Sequence, residues 1–425
     1  MYQLYHTNCT SGGGLRLLCL KITLVKSHLT SFNLIFRRPS SAWIHSWWTE
    51  LEMILSLLNN LCFENSQAKD SLIKNGVMEK LLNLWTVLIK VNAPLSPPID
   101  LVKSTITNIL KLLTTLTCDC ESAKSALTKI FIICNESSVA KDNPQQNFLQ
   151  HLMNVCKSTE KTTNIKLFQS VDGQNYFFRT AYPLCLRIIM SSLTSKECRL
   201  NILRNKFPEN CMEFIEYERD QRQDKQKRQT ATEVIQSSTK KNFTILWFDF
   251  LLSLTTFADG QLWLGTKAFL IDTLIDIAAS DISSTGYKLD LSGLAALAIL
   301  RNISFNQSNR SRLLLSKKYL RILADKVLTR QELKRNSNDN KQEETIALSA
   351  IWALTANNHK AKVAFTNGGI TKLLMEESHR REVENELKTK ELRQKSKVTF
   401  LDDKKNVGSG QNTMLKEVLC ILNPL

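Results

Sequence analysis

The sequence predicts an all-α protein, an armadillo/HEAT-like α-solenoid with degenerate repeats and polar inserted loops. Three observations lead to this fold class: glycine (13) and proline (8) are scarce in 425 residues, a two-helix motif recurs along the chain, and apolar residues in each copy keep helical spacing. Sheet proteins need many turn residues, so this scarcity favours long helices with short links. A pair of helices buries its apolar faces only against neighbouring pairs, which predicts a stack.

The repeat is clearest when residues 57–76 are set beside residues 112–129, because the two segments align without a gap. Apolar residues at i, i+3, i+4 and i+7 predict a first helix with one apolar face, and an i, i+4 pair after a polar turn predicts a short second helix. Residues 354–370 join the same frame. The predicted structural core of these copies is Leu57, Leu58, Leu61, Ala68, Leu72, Leu112, Leu113, Leu116, Ala123, Leu127, Leu354, Ala361 and Phe365.

Other copies of the motif are less regular. Residues 294–315 need one residue of gap, and weaker copies lie at residues 188–203 and 250–265. The uneven spacing indicates inserted loops and fits armadillo or HEAT units of about 40 to 47 residues. Gly76 and Gly369 follow short helices, where a left-handed backbone usually requires glycine.

One position of the short helix holds lysine in three copies, Lys69, Lys124 and Lys362. We expect these lysines on the side opposite the core, because lysine is mostly exposed. In the third of these copies, residues 357–359 are predicted to form the turn between the two helices.

The chain divides by composition into six predicted segments. Residues 1–46 match no later copy and form an unassigned, irregular leader. A charged stretch is predicted as an exposed loop or frayed polar helix, and a polar linker with a flexible VGSG precedes a closing helix over the end of the stack. The repeats occupy 47–215 and 243–375, the charged stretch 216–242, the linker 376–411 and the closing helix 412–425.

Charge and cysteine usage give broad expectations. A formal charge of +16 favours acidic partners. Lysines spread over helix surfaces and linkers account for that charge better than a dedicated binding site does. Eleven cysteines, an odd number without regular spacing, indicate reduced thiols in the cytosol. Apolar runs are too short to span a bilayer, so no membrane insertion is expected.

No catalytic motif with useful specificity is present, so we expect no enzyme activity, cofactor, metal or small-molecule substrate. Cys118 and Cys120 come closest to a metal motif, but they lack a second ligand pair nearby. The acidic pairs at 376–377 and 402–403 lie in polar segments without a sign of burial, which indicates solvated surfaces.

The turns supply the candidate partner-binding residues. Armadillo proteins that read extended peptides use Trp and Asn four residues apart on one helix. Here Trp352 would need asparagine at 356, and Asn302 would need tryptophan at 298, but both positions hold alanine. A structural role for Asn302 within its own turn is therefore favoured over ligand contact. The full candidate set is Arg301, Asn302, Arg310, Asn358, Lys360 and Lys362.

Three motifs together, LAILRNISFNQSNRSRLL, SAIWALTANNHKAKVAF and a closing MLKEVLCILN, resemble the carboxy-terminal region of the rotatin family, armadillo-like proteins of centrioles and basal bodies. The resemblance runs from about Glu50 to Leu425 and is clearest from residue 245 onwards. Family members are longer, so the chain looks like a carboxy-terminal fragment or truncated gene model.

The resemblance implies a non-enzymatic scaffold in centriole assembly and cohesion, basal-body organisation and cilium assembly. Its implied partners are other centriolar or basal-body proteins. Its implied location is the cytoplasm and cytoskeleton, at the centrosome or centriole and the ciliary basal body.

Two alternatives stay open at this point. One is an armadillo-type peptide or cargo adaptor, similar to a nuclear transport factor, against which the missing Trp and Asn pairs count. The other is a nucleic-acid-binding solenoid. The stretch 216–242 mixes seven basic with five acidic residues and does not interleave aromatics, which argues against nucleic acid.

Overall fold

The computed structural model describes residues 41–88, 99–132, 146–157, 171–223, 231–280, 291–328, 338–396 and 409–422. Clustering of contacts divides the chain into two compact units, residues 1–210 and 211–425. The helices of unit 1 are α1 (Ser41–Cys62), α2 (Ser66–Lys74), α3 (Val77–Leu88), α4 (Ile99–Asp119), α5 (Glu121–Lys129), α6 (Phe148–Lys157), α7 (Val171–Tyr176), α8 (Tyr182–Ser192) and α9 (Lys196–Arg204). The helices of unit 2 are α10 (Met212–Gln223), α11 (Ala231–Thr255), α12 (Ala258–Gly265), α13 (Ala268–Ser280), α14 (Leu291–Ser304), α15 (Gln307–Leu315), α16 (Lys317–Val327), α17 (Asn338–Thr355), α18 (His359–Asn367), α19 (Ile370–Ser396) and α20 (Ser409–Leu422).

Each complete repeat has three helices: a long first helix, a short second helix and a third helix. In unit 1, the first helices α1, α4 and α8 pack side by side, and the third helices α3 and α6 pack against the first helix that follows each of them. A π-helical turn, Phe177–Ala181, leads into α8, and a 3-10 turn, Phe207–Cys211, follows α9. Strands β1 (Phe131–Ile132) and β2 (Gln146–Asn147) form a short antiparallel pair beside α6.

Unit 2 repeats the same arrangement in two layers. The first helices α11, α14, α17 and α20 pack in sequence, and we call this row the ladder of unit 2. The third helices α10, α13, α16 and α19 form a second row behind it, and each packs against the next ladder helix. The short helices α12, α15 and α18 join the rows. This three-helix repeat confirms the predicted armadillo-like, all-α fold.

A buried small side chain closes the C-terminal end of every first helix that precedes a short helix. It is a hydroxyl in five repeats and a thiol in the sixth. Each hydroxyl donates to a carbonyl oxygen three or four residues earlier in its own helix, over 2.7–2.9 Å, so burial leaves no donor unsatisfied. The six residues, all 0% exposed, are Cys62, Thr117, Ser192, Thr255, Ser304 and Thr355.

The turns follow backbone rules that the sequence predicted. Gly76 and Gly369 both have φ of +73°, as predicted for the residue that follows a short helix. Glu64 and Asn357, in the turns after α1 and α17, also have left-handed φ values, 52° and 53°. In the latter turn, the Asn358 side chain caps α18 by accepting from the Ala361 N–H over 3.2 Å.

Twelve of the thirteen residues assigned to the repeat core are buried, and Leu57 is half-buried. Leu112, at the equivalent position in α4, is fully buried. Helix α4 has first helices packed on both sides, α1 and α8, whereas the described residues place only α4 beside α1. The different exposure of the two leucines follows from this difference in neighbours.

Several sequence expectations need correction. Helix α19 continues to Ser396, so the predicted linker is helical over residues 376–396, and residues 397–408 lie outside the described part. Of the two forms predicted for the charged stretch 216–242, an exposed loop or a frayed polar helix, the described residues have the helical one. A helix of this kind needs only one buried face, and Glu218 is buried within the stretch.

Two expectations about charged side chains are also corrected. Lys69 and Lys124 are only 5% and 3% exposed, although they were expected opposite the core. Glu377 is 6% exposed and accepts from Arg380 and Arg381, although it was expected to be solvated. Long basic side chains bury their aliphatic stems when the charged end finds a partner. The pair at 402–403 and residues 1–40 lie outside the described residues. Within the described part, no helix is long and apolar enough to cross a membrane.

Gly260 lies where the short helix α12 approaches the first helix α11 closely. A Cβ at this position would lie 2.1 Å from the carbonyl oxygen of Leu254, which is backbone and has little freedom to move. Helix propensity alone would make Gly260→Ala stabilising by about 1 kcal/mol. We expect the opposite, a loss of about 1–3 kcal/mol from overpacking, measured by urea denaturation.

The matched control is Ala258→Ser in the same short helix, because Ala258 is exposed. We expect its denaturation midpoint to stay close to that of the parent chain. A stabilised Gly260→Ala chain would contradict the close packing of α12 on α11.

Candidate protein-binding face

The fourth residue of every described short helix has a long side chain that can donate hydrogen bonds. Five of these six residues are basic and one is glutamine. They follow a small or polar third residue that is buried against the first helix, which places the long side chain at the turn between repeats. We call these residues the turn donors: Lys69, Lys124, Arg199, Gln261, Arg310 and Lys362.

In unit 1 two of the turn donors, Lys69 and Lys124, connect neighbouring repeats. The Lys69 ammonium lies 3.9 Å from a carboxylate oxygen of Asp119, the last residue of the next first helix. The Lys124 ammonium donates to the Glu121 carboxylate over 2.8 Å and to the Thr194 hydroxyl, which lies in the next turn. Both lysines therefore stabilise the stack and are not available as binding residues.

Arg310, one of the predicted partner-binding residues, has the same role in unit 2. Its guanidinium donates to the carbonyl oxygens of Ser304 and Phe305 in its own turn, over 3.2 and 3.4 Å. It also donates to the carbonyl oxygen of Ala356 in the turn of the next repeat, over 3.0 Å. Burial lowers the pKa of Arg310, and these neutral acceptors hold the cation in place.

Asn302 is 4% exposed, so a partner has no access to its amide. Its Nδ2 donates to the Thr255 hydroxyl over 3.2 Å, on the preceding ladder helix, and its Oδ1 accepts two N–H bonds from Arg301. The expected structural role is present, but the amide bonds to the neighbouring repeat and not within its own turn. The side chain contributes to stacking and to orienting Arg301.

The remaining candidates lie around α18. Asn358 is the N-cap of that helix, which is a structural role. Lys360 is exposed and Lys362 is half-buried. The structure brings Arg301, Asn302 and Arg310 together at one end of α14 and α15, and it places the three α18 residues in the next repeat.

A groove on the ladder of unit 2 is a feature that sequence patterns did not reveal. It has a volume of about 360 Å³ and crosses α11, α14 and α17. Its floor is apolar because Ala295 and Ala298 of α14 line it together with Leu252 of α11 and Ile346 of α17. Leu291, which is 71% exposed, stands at its rim. Two alanines in the middle of a helix look like ordinary packing residues, so no sequence pattern indicates the groove.

Arg301 lies at the C-terminal end of the same face. Leu252, Arg301 and Trp352 are each three residues before a buried hydroxyl of their helix, so they occupy matching turns of three adjacent ladder helices. Arg301 is half-buried and Trp352 is 39% exposed. Burial lowers the pKa of Arg301, and among the described residues its guanidinium bonds only to the neutral Asn302 oxygen.

A buried ionic cluster elsewhere in unit 2 shows how this chain pairs other cations. Arg381 of α19 donates to Glu344 of α17 and to Glu377 of its own helix. Burial raises the pKa of Glu344, and Arg381 opposes that rise. Burial would lower the pKa of Arg381, but the two carboxylates raise it overall. Lys326 and Glu343, each with a 5% exposed side chain, pair over 2.7 Å beside this cluster.

The described residues contain no group of three His, Cys, Asp or Glu side chains arranged to hold a metal ion. Cys118 is exposed and Cys120 is buried at the start of α5.

The ladder face over α14 offers an apolar groove with a cation at one end, and that arrangement suits the binding of another chain.

Comparison with known proteins gives two relatives with the same name. Human rotatin is 21% identical over 321 residues, which cover 76% of this chain and 12% of human rotatin. Mouse rotatin is 29% identical over 126 residues, which cover 30% of this chain and 5% of mouse rotatin. The chain is a relative of rotatin. It spans only a small part of the length of the rotatins that it matches. No protein-family model matches the sequence.

Two solved structures are similar to this chain. One comes from work on a phosphorylation switch that controls the interaction between cadherin and beta-catenin; it has a TM-score of 0.39 and 10% identity, and covers 99% of this chain and 70% of that chain. The other is an engineered protein with a TM-score of 0.36 and 12% identity, covering 96% and 98%. Because both TM-scores are low, the armadillo-like description depends on the three-helix repeat itself.

Arg310→Ala tests whether this residue stabilises the stack. The change removes bonds to carbonyl oxygens of two repeats, so we expect a loss of about 1–2 kcal/mol in the free energy of unfolding, measured by urea denaturation. Hydrogen exchange should also quicken at the turn around Ala356. The matched control is Lys360→Ala, on the exposed side of α18, which we expect to change stability by less than about 0.5 kcal/mol. Equal effects of the two changes would contradict the bridging role.

Proposed function

We propose that this chain is part of a non-enzymatic scaffold that acts in centriole assembly and cohesion, basal-body organisation and cilium assembly. The observation that carries this proposal is the similarity to human rotatin over three quarters of the chain. The proposed location is the cytoplasm and cytoskeleton, at the centrosome or centriole and at the ciliary basal body. The proposed partners are other centriolar or basal-body proteins.

The repeat architecture supports a scaffold role. Ladder helices present a row of side chains on a support that is fixed by burial, by the turn donors and by the ionic cluster around Arg381. A partner therefore meets a surface that is already ordered, which lowers the entropic cost of binding. The cations at the turns are mostly used within the stack, so a scaffold of this kind would recognise partners through its ladder faces.

A second candidate function is an armadillo-type peptide or cargo adaptor. The groove over α14 is the observation that favours it. Against a mechanism that uses Trp and Asn pairs, Asn302 is buried and bonded to the neighbouring repeat, and alanine stands at 298 and 356. Nucleic-acid binding has less support, because the charged stretch forms helices in which Glu218 pairs with Arg222 over 2.9 Å.

A localisation experiment tests the leading proposal. A fluorescently tagged chain, expressed at low level in ciliated cells, is expected to overlap with a centriole marker and to persist at basal bodies after cilium assembly. The tag alone is one control. A second control is Leu297→Asp, which places a carboxylate at a fully buried ladder position and should unfold unit 2.

The comparison between the folded and unfolded chains makes the outcome specific. Enrichment at centrioles that disappears in Leu297→Asp supports a folded scaffold. A diffuse or purely nuclear signal from the folded chain would overturn the centriolar proposal.

A further inference from the structure

The groove over α14 and the cation beside it share one face of the ladder of unit 2. Ala298 lines the groove, and Arg301 is the next residue on the same side of α14, three positions along. Three residues of an α-helix rise about 4.5 Å, roughly the spacing between neighbouring side chains of a bound segment. The apolar floor and the guanidinium are therefore within reach of one short segment.

The apolar floor of the groove is suited to binding an apolar side chain. Ala295 and Ala298 leave the space, and Leu252 and Ile346 bound it on the neighbouring helices. A cavity of about 360 Å³ holds one or two large apolar side chains. Filling it with Leu, Phe or Met would remove apolar surface from water on both chains, at roughly 25 cal/mol per Å².

The positive charge of Arg301 beside the groove is suited to pairing with a carboxylate. Arg301 is half-buried and is held by a neutral amide oxygen, whereas the more deeply embedded Arg381 has two carboxylate partners. A partly desolvated guanidinium gains more from a carboxylate than an exposed one does, and the paired geometry is often bidentate. Asp249 lines the groove one turn before Leu252, so a bound carboxylate would be repelled there and favoured at the Arg301 end.

We propose that the groove over Ala295 and Ala298 binds a short segment of a partner protein in which a large apolar side chain fills the groove and a nearby Asp or Glu pairs with Arg301. This proposal rests on the proposed function, because it names the chemistry of a partner for the scaffold. Trp352, which lies on the matching turn of α17 and is 39% exposed, offers further apolar surface to the same segment.

The test begins with a phage-displayed library of random 12-residue peptides selected against the purified chain. Enriched sequences are expected to carry a large apolar residue within a few positions of an acidic one. The best peptide, labelled with fluorescein, is then titrated with the chain, and Kd is measured by fluorescence polarisation.

Four changes locate the binding site. Ala295→Phe fills the groove from a half-buried position, and Arg301→Gln removes the cation; each should weaken binding at least tenfold. Replacing the acidic residue of the peptide by its amide should weaken binding to the parent chain similarly, and should add little to Arg301→Gln. Arg312→Gln, a half-buried arginine on the short helix α15, is the matched control and should leave Kd within twofold. Circular dichroism melts establish that each variant folds.

The peptide-side change keeps the test decisive if a protein variant unfolds. The proposal is overturned if no peptide is enriched, if enriched peptides lack an acidic residue, or if Ala295→Phe and Arg301→Gln both bind within twofold of the parent chain. Those results would leave a centriolar localisation of the tagged chain unchanged. A diffuse tagged chain would instead count against the proposed function while leaving the measured peptide affinities intact.

Discussion

The structure depends on burial of the first helices between neighbouring repeats. A long helix such as α14 has apolar residues around much of its circumference, and Leu297, Ile299 and Leu300 are all fully buried. Burying one such side chain is worth about 1.5–3 kcal/mol. Helices on either side and behind are needed to cover it, so within each unit the order of one repeat depends on the next.

Close packing of this kind limits which side chains the turns hold. Hydroxyls or a thiol at the ends of the first helices are small enough to bury, and the hydroxyls bond to their own helix. Small third residues such as Ala123 and Ala361 bring the short helix against the first. The long side chains of Lys69, Lys124 and Arg310 then reach the next repeat. Lys69 and Lys124 are buried because the geometry of the stack gives their ammonium groups a partner, and their stems cover apolar surface.

The sequence predicted the features that depend on local pattern. The helical spacing of apolar residues predicted the first helices. The glycines at 76 and 369 predicted the left-handed backbone that follows two short helices. It did not predict the exposure of residues whose environment comes from another repeat. From the sequence Lys124 is expected to be a surface lysine, but in the fold its ammonium donates to the Thr194 hydroxyl. Asn302 is expected to bond within its own turn, but its amide donates to the Thr255 hydroxyl of another repeat. The third helix of each repeat was also missed, since its residues repeat less regularly.

The groove illustrates why a binding face of this kind is hard to find in one sequence. It is made by side chains of three helices: alanine at 295 and 298 leaves space on α14, and Leu252 of α11 and Ile346 of α17 bound that space. Arg301 is informative for the same reason. Its guanidinium contacts a neutral oxygen, whereas the same unit pairs Arg381 with two carboxylates. A half-buried cation with a neutral partner, beside an apolar groove, has the chemistry to bind an acidic and apolar segment there.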